Sequence, residues 1–160
     1  SRGLGDVYKR QIIYFIGYAF LNIIDMMSSD IFKGIYIFVI AFITDTYAYI
    51  SGMLIGKHRF TDISPKKTIE GCLIGGIMGC FIGTMFYYSL VGDLSIIKTI
   101  IMSLVLVFLS ESGDLVFSSI KRYFDKKDYS NIIPGHGGIL DRFDSVIFVS
   151  LGMLIMLNIL

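Results

Sequence analysis

The sequence predicts an all-α fold, a polytopic bundle of about five transmembrane helices, and three observations lead there. The 160 residues are 54% hydrophobic and only 17% charged, with a mean hydropathy of +0.72. A soluble domain of this size needs a polar exterior, and so little charge cannot supply one. The apolar residues also gather into stretches that approach the ~20 residues a helix needs to cross a hydrocarbon core. None of those stretches alternates with period two, as the strands of a membrane barrel would. Disorder is excluded by the apolar content, and a net charge of +1 gives no basic field for nucleic acid.

Residues 1–11 (SRGLGDVYKRQ) are polar and aperiodic. The run DVYKRQ matches the translation of a common transposon-end sequencing adapter, so these residues are expected to be non-native and are left out of the fold prediction. On that expectation the natural protein begins upstream, and residues 12–160 form a C-terminal membrane catalytic domain. The first span, 12–24, is about 20 Å long at ~1.5 Å per residue, short of a ~30 Å core. The second, Ile31–Ile55, is interrupted by Asp45. The third, 68–91, opens on Thr68, a residue suited to cap it, and carries Gly71, Gly75, Gly79 and Gly83. That spacing lets helices approach closely, either within the chain or across a homodimer. The fourth span, 96–117, holds Glu111 and Asp114 near its end, and 145–160 is the fifth.

The connecting segments differ in charge. Segments 57–67 and 121–142 hold nine basic residues (Lys57, Arg59, Lys66, Lys67, Lys121, Arg122, Lys126, Lys127 and Arg142), whereas 25–33 and 92–98 hold two, Lys33 and Lys98. The asymmetry predicts an integral membrane protein whose basic loops, and any chemistry in them, face the cytoplasm. Cys72 and Cys80 lie eight apart on one helix, too far for a disulfide, and with His58 and His136 alone they make no zinc set.

Charges within a bilayer cost on the order of 2.5–3.5 kcal/mol each, so Asp45, Glu111 and Asp114 require a reason. Asp114, Ser118, Lys121 and Asp125 fall on one helical stripe, and Asp141 and Asp144 share a face at i, i+3. Such carboxylates suit Mg²⁺ with phosphates completing its shell, or equally salt bridges to Lys121, Arg122 and Arg142. The run IPGHGG at 133–138 offers backbone that phosphates can approach, or simply a tight turn. Lys66 and Lys67, after Ser64, either hold an anionic group or anchor the loop at the membrane surface.

Residues 118–144, SSIKRYFDKKDYSNIIPGHGGILDRFD, resemble the signature of the phosphatidate cytidylyltransferase (CDP-diacylglycerol synthase) family. Ser118, Lys121, Arg122, Lys127, Asp128, Ser130, Pro134, His136, Gly137, Gly138, Asp141, Arg142 and Asp144 all fall on its pattern. The DTYAY run at 45–49, Gly52, and residues 56–57 and 64–71 are similar to a second family region, and Gly113, Asp114 and Leu115 to a third. The resemblance covers 12–160 and lacks the family's N-terminal group of helices.

It implies that CTP and phosphatidic acid, with membrane lipids around them, give CDP-diacylglycerol and pyrophosphate. Asp114, Asp141 and Asp144 would hold one or two cations, Mg²⁺ first, while Lys121, Arg122 and Arg142 join them as the catalytic set. Ser64, Lys66, Lys67, Ser118, His136, Gly137 and Gly138 would bind substrate. Two other functions fit the composition: a CTP-dependent enzyme acting on another lipid phosphate or lipid alcohol, and an ion-coupled transporter using Asp45, Glu111 and Asp114. The transporter would be expected to show internal repeats, and none is visible.

Overall fold

A computed structural model describes residues 2–61, 64, 67–125, 129 and 140–160, with side chains described from Arg10 onward. Five helices follow one another: α1 (Arg2–Ser29), α2 (Ile31–Ile55), α3 (Ile69–Leu90), α4 (Ile96–Tyr123) and α5 (Leu140–Ile159). Each contains a stretch long and apolar enough to cross a membrane, which makes the chain an integral membrane bundle. Among the described residues the sole extended pairing is a lone antiparallel bridge between Arg59 and Thr68.

Local chemistry explains most boundaries. Asp30 takes an extended conformation, and its side chain accepts the Phe32 amide at 2.9 Å to open α2. The expected Thr68 cap is present, its hydroxyl accepting the Gly71 amide at 3.1 Å. At the far end of α3, Gly92 sits at φ +66 and donates to the Tyr87 carbonyl at 3.0 Å, the left-handed turn that glycine alone adopts without strain.

Three spans extend beyond their apolar stretches. The first is not confined to 12–24: its apolar part runs from Arg10 to Ser29, 20 residues, because no Gly-Pro break stops the backbone. The fourth continues from 117 to Tyr123, where Lys121 and Arg122 complement the helix dipole. The fifth starts at Leu140 rather than 145, with Asp141 in its first turn. Hydropathy marks where a helix meets lipid, not where its hydrogen bonds end.

The glycine stripe of α3 packs within the chain, against α2. A Cβ on Gly75 would lie 2.7 Å from both the Ala48 methyl and the Thr44 carbonyl oxygen, and one on Gly71 2.6 Å from the Ala48 carbonyl. Only bare backbone fits there. The core is built from Ile23, Met26, Tyr36, Ile37, Ile40, Tyr87, Met102, Leu106 and neighbouring α5 residues such as Val149 and Met153. Two polar contacts cross it: the Tyr36 and Ser103 hydroxyls meet at 2.7 Å. Asn22 of α1 donates to both the Ser150 carbonyl (2.8 Å) and hydroxyl (2.9 Å) of α5. The bundle brings the middle of α2, the last turns of α4, the start of α5 and Lys67 just before α3 around one polar centre.

Candidate functional site

The segment between α2 and α3 folds back on itself. Phe60 donates to the Lys67 carbonyl (2.9 Å), Ile69 to the His58 carbonyl (3.0 Å), and Lys67 to the Ser64 carbonyl (3.0 Å). The turn closed by Ser64 thereby turns the Lys67 side chain toward the bundle, where its ammonium meets Asp114 of α4 at 2.6 Å. Ser118, one turn on, donates to the other Asp114 oxygen at 3.3 Å. Burial pushes the Lys67 ammonium down, but Asp114, with Asp45 behind it, outweighs burial, and the net displacement is upward. Lys67 is therefore a fixed positive charge.

Lys121 makes the second pair. From α4 it reaches both carboxylates at the start of α5, Asp141 at 3.0 Å and Asp144 at 3.8 Å. All three side chains are nearly excluded from solvent. Tyr129 closes this corner: its amide donates to the second Asp141 oxygen (2.9 Å), and its ring lies 5.4 Å from the Lys121 ammonium. Burial, and then the neighbouring Asp141 and Asp144, pushes the Tyr129 hydroxyl up to about 12. It stays neutral at any physiological pH, donating to the Phe117 carbonyl at 3.3 Å.

Asp45, halfway along α2, accepts a hydrogen bond from Ser145 at 3.0 Å. It lies within electrostatic reach of Asp114 and Lys67, and Asp144 lies within reach of Asp114 and Asp45. The two pairs therefore belong to one centre. Glu111, a turn before Asp114, has one carboxyl oxygen that is buried without a hydrogen-bond partner.

Of the residues singled out from the sequence, Asp114, Ser118, Lys121, Asp141, Asp144 and Lys67 come together here, and Ser64 shapes the turn beneath Lys67. Arg122 and Arg142 stand on exposed positions next to Lys121 and Asp141 and engage in interactions of their own. Lys66, His136, Gly137 and Gly138 lie outside the described residues. Three participants were not among the expected site residues. Asp45 carried a signal, as a charge in an apolar span; Ser145 and Tyr129 carried none.

Both alternatives left open for the carboxylates bear on this centre. Ion pairs to lysine occupy Asp114, Asp141 and Asp144, and among the described residues no three acidic, His or Cys side chains converge as a ready metal cage. The donor chemistry nonetheless fits a Mg²⁺ ion that is bound by one or two carboxylates and otherwise by substrate phosphates. Asp45, Asp114, Asp141 and Asp144 together bring four carboxyl groups around Lys67 and Lys121.

Comparison with known proteins gives a consistent result. A model of the cytidylyltransferase family matches residues 8–160. The phosphatidate cytidylyltransferase of Staphylococcus haemolyticus is 40% identical over 149 residues, covering 92% of this chain and 56% of that protein. The Staphylococcus epidermidis enzyme of the same name is 42% identical over 151 residues, and that of Staphylococcus aureus 38% over 149, with the same coverage. The chain thus spans about half (56%) of the length of the curated relatives it matches.

Proposed function

The chain belongs to the cytidylyltransferase family, and from that premise we propose that it carries the catalytic centre of a phosphatidate cytidylyltransferase. The observation that supports this most is the buried centre at the basic end of the bundle, where two lysines are held rigidly by carboxylates. The reaction joins two anions. A phosphate oxygen of phosphatidic acid forms a bond to the α-phosphorus of CTP, the bond from that phosphorus to the bridging oxygen breaks, and pyrophosphate leaves with the electron pair. No base is needed, because the attacking oxygen is already ionised near neutral pH. What the reaction demands is charge neutralisation and in-line placement.

Lys67 and Lys121 would supply positive charge, with Arg122 and Arg142 at the rim. Exchanging an internal carboxylate for a substrate phosphate oxygen lets each lysine receive its substrate without a large rearrangement. Asp114, Asp141 and Asp144, so released, are the oxygen donors proposed for Mg²⁺, which when bound would neutralise phosphate oxygens. Lys66 and the run 133–138, including His136, Gly137 and Gly138, are proposed to complete the triphosphate site. The acyl chains remain in the bilayer, and the basic end faces the cytoplasm, where CTP is present.

The test is CTP labelled at the α or at the γ phosphorus, supplied with phosphatidic acid to bilayers containing the full-length protein. Label at the α position should enter lipid and label at the γ position should not. Transfer of the γ label would indicate a lipid kinase, and no transfer of either would overturn the reading.

A further inference from the structure

The fold-back before α3 is a short two-stranded ribbon, and the ladder that joins its strands is thin. Phe60 donates to the Lys67 carbonyl and Ile69 to the His58 carbonyl, on either side of the bridge between Arg59 and Thr68. An isolated ribbon of this size is marginal by itself. Yet it carries Lys67, whose ammonium has to reach Asp114 of α4. Glu70, in the first turn of α3, stands at the base of the ribbon. Its Oε1 accepts Nδ1–H of His58 at 2.6 Å. Its Oε2 accepts the backbone amides of Lys57 (3.2 Å) and His58 (3.3 Å), the residues by which the chain leaves α2. His58 is thereby held at its ring, its amide and its carbonyl by two consecutive residues, Ile69 and Glu70. Beside this contact a Cβ on Gly56 would lie 2.6 Å from the Thr68 methyl, so the exit of α2 and the entry of α3 touch.

We propose that Glu70 is a positioning residue. Its carboxylate clamps the exit of α2 to the entry of α3 and so sets the ribbon from which Lys67 reaches the reacting phosphates. What Lys67 does once placed rests on the cytidylyltransferase reading above; the clamp does not. An acid in the first turn of a helix also favours the helix through its dipole, but that effect is indifferent to where the carboxyl points. Here both oxygens are aimed at Lys57 and His58, outside α3. Releasing His58 loosens the strand that continues to Phe60, and Phe60 holds the Lys67 carbonyl. Placement of charge is what the joining of two anions demands, so a loosened ribbon costs turnover.

The experiment compares the full-length protein in phosphatidylcholine bilayers with its Glu70→Ala and Glu70→Asp variants. Each is treated briefly with acetic anhydride, and mass spectrometry reads acetylation of every lysine relative to the exposed Lys98. Lys67 and Lys121 are both largely buried, in separate ion pairs of the same centre. Glu70→Ala should raise acetylation of Lys67 on the order of tenfold, the loss of one hydrogen bond to a charged group, and leave Lys121 unchanged. Glu70→Asp keeps the negative charge in the first turn but is one methylene short of His58, and should free Lys67 as well. An unchanged Lys67 in Glu70→Ala would overturn the proposal. A rise at Lys121 equal to that at Lys67 would overturn it too, since Glu70 would then support the fold in general. Full protection of Lys67 in Glu70→Asp would assign Glu70 to the helix dipole alone.

With CTP labelled at the α position, Glu70→Ala should lower kcat/KM on the order of tenfold. Glu70→Gln, which keeps the length and one accepting oxygen, should recover part of that loss. An unchanged kcat/KM beside a freed Lys67 would sink the positioning role while leaving the reaction intact. A freed Lys67 in a protein whose parent transfers no label would sink the reaction while leaving the clamp.

Discussion

Asp144 is buried and shares Lys121 with Asp141, yet the pair is strained in one respect: Asp141 sits at 3.0 Å and Asp144 at 3.8 Å from the same ammonium. Asp144 is thus the more loosely held of the two by Lys121. Asp144→Asn keeps the volume and the hydrogen bond from the Ser145 amide at 2.9 Å, and should leave the fold intact. If Asp144 is an oxygen donor for Mg²⁺ as proposed, turnover should fall on the order of 100-fold, because that anionic donor is removed. Incorporation of α-labelled CTP at saturating lipid measures this; retention of most of the activity would remove Asp144 from the catalytic set.

A second prediction at this scale concerns Asp93, paired with Lys33 at 2.5 Å at the end of the bundle opposite the basic loops. Burial raises its carboxyl, but the Lys33 ammonium, the Tyr87 hydroxyl and the backbone beside it together outweigh burial and hold the group below the ordinary value. A depressed carboxylate contributes stability above its unfolded pKa of about 3.9 and loses it as pH falls through the folded value. Asp93 is substantially exposed, so Asp93→Asn should cost under about 1 kcal/mol at pH 7. The difference from the parent should shrink in melts as pH falls through the lowered folded value. Lys67 behaves in the opposite sense: its raised pKa keeps the Asp114 pair intact from neutral pH up past the ordinary lysine value of about 10.4.

Among elements, α3 presents two glycine environments one residue apart. Gly75 faces α2, where a methyl group would lie 2.7 Å from a backbone oxygen that cannot withdraw. Gly76 faces α4, where the same methyl makes ordinary contacts at 3.5 Å and beyond. Gly75→Ala should therefore destabilise the bundle by about 2 kcal/mol through forced separation of the helices. Gly76→Ala should be neutral or stabilise by up to about 1 kcal/mol, the helix propensity that glycine forgoes. Thermal unfolding in detergent reads both; equal effects would show that α2 and α3 are not in the close packing described.

The elements also show what could be foreseen. Apolar stretches located all five helices, and the Thr68 cap and the Asp141–Asp144 face followed from local rules of spacing. The Lys67–Asp114 pair did not, because it depends on the fold-back closed at Ser64, and no periodicity links a loop residue to a carboxylate two elements later. Asp45 announced itself as a membrane charge, but its partner Ser145 stands 100 residues away and is an ordinary helix residue by sequence. Helix ends were foreshortened wherever polar residues carried the backbone ladder past the lipid, as at Lys121, Arg122 and Asp141.

For the whole molecule, the asymmetry of nine basic residues against two, spread over the loops named above, predicts a single orientation. In a version lacking Cys72 and Cys80, cysteines placed at Lys57 or Arg122 should be protected from an impermeant thiol reagent in intact cells. A cysteine at Asp93 should react. Labelling of both basic-end positions from outside would reverse the orientation.

The order of the helices along the chain gives the polar centre a history. Asp45, Lys67, Asp114 and Lys121 all leave the ribosome before α5, whereas Ser145, Asp141 and Asp144, which engage Asp45 and Lys121, arrive with it. Until then the nascent bundle also lacks the Ser150 groups that hold Asn22 of α1. A chain halted before Leu140 therefore leaves Lys121 without its acidic partners and α1 without its clamp, two defects inside a membrane that offers neither water nor counterions. Insertion of α5 thus supplies both the clamp on α1 and the carboxylates that pair with Lys121.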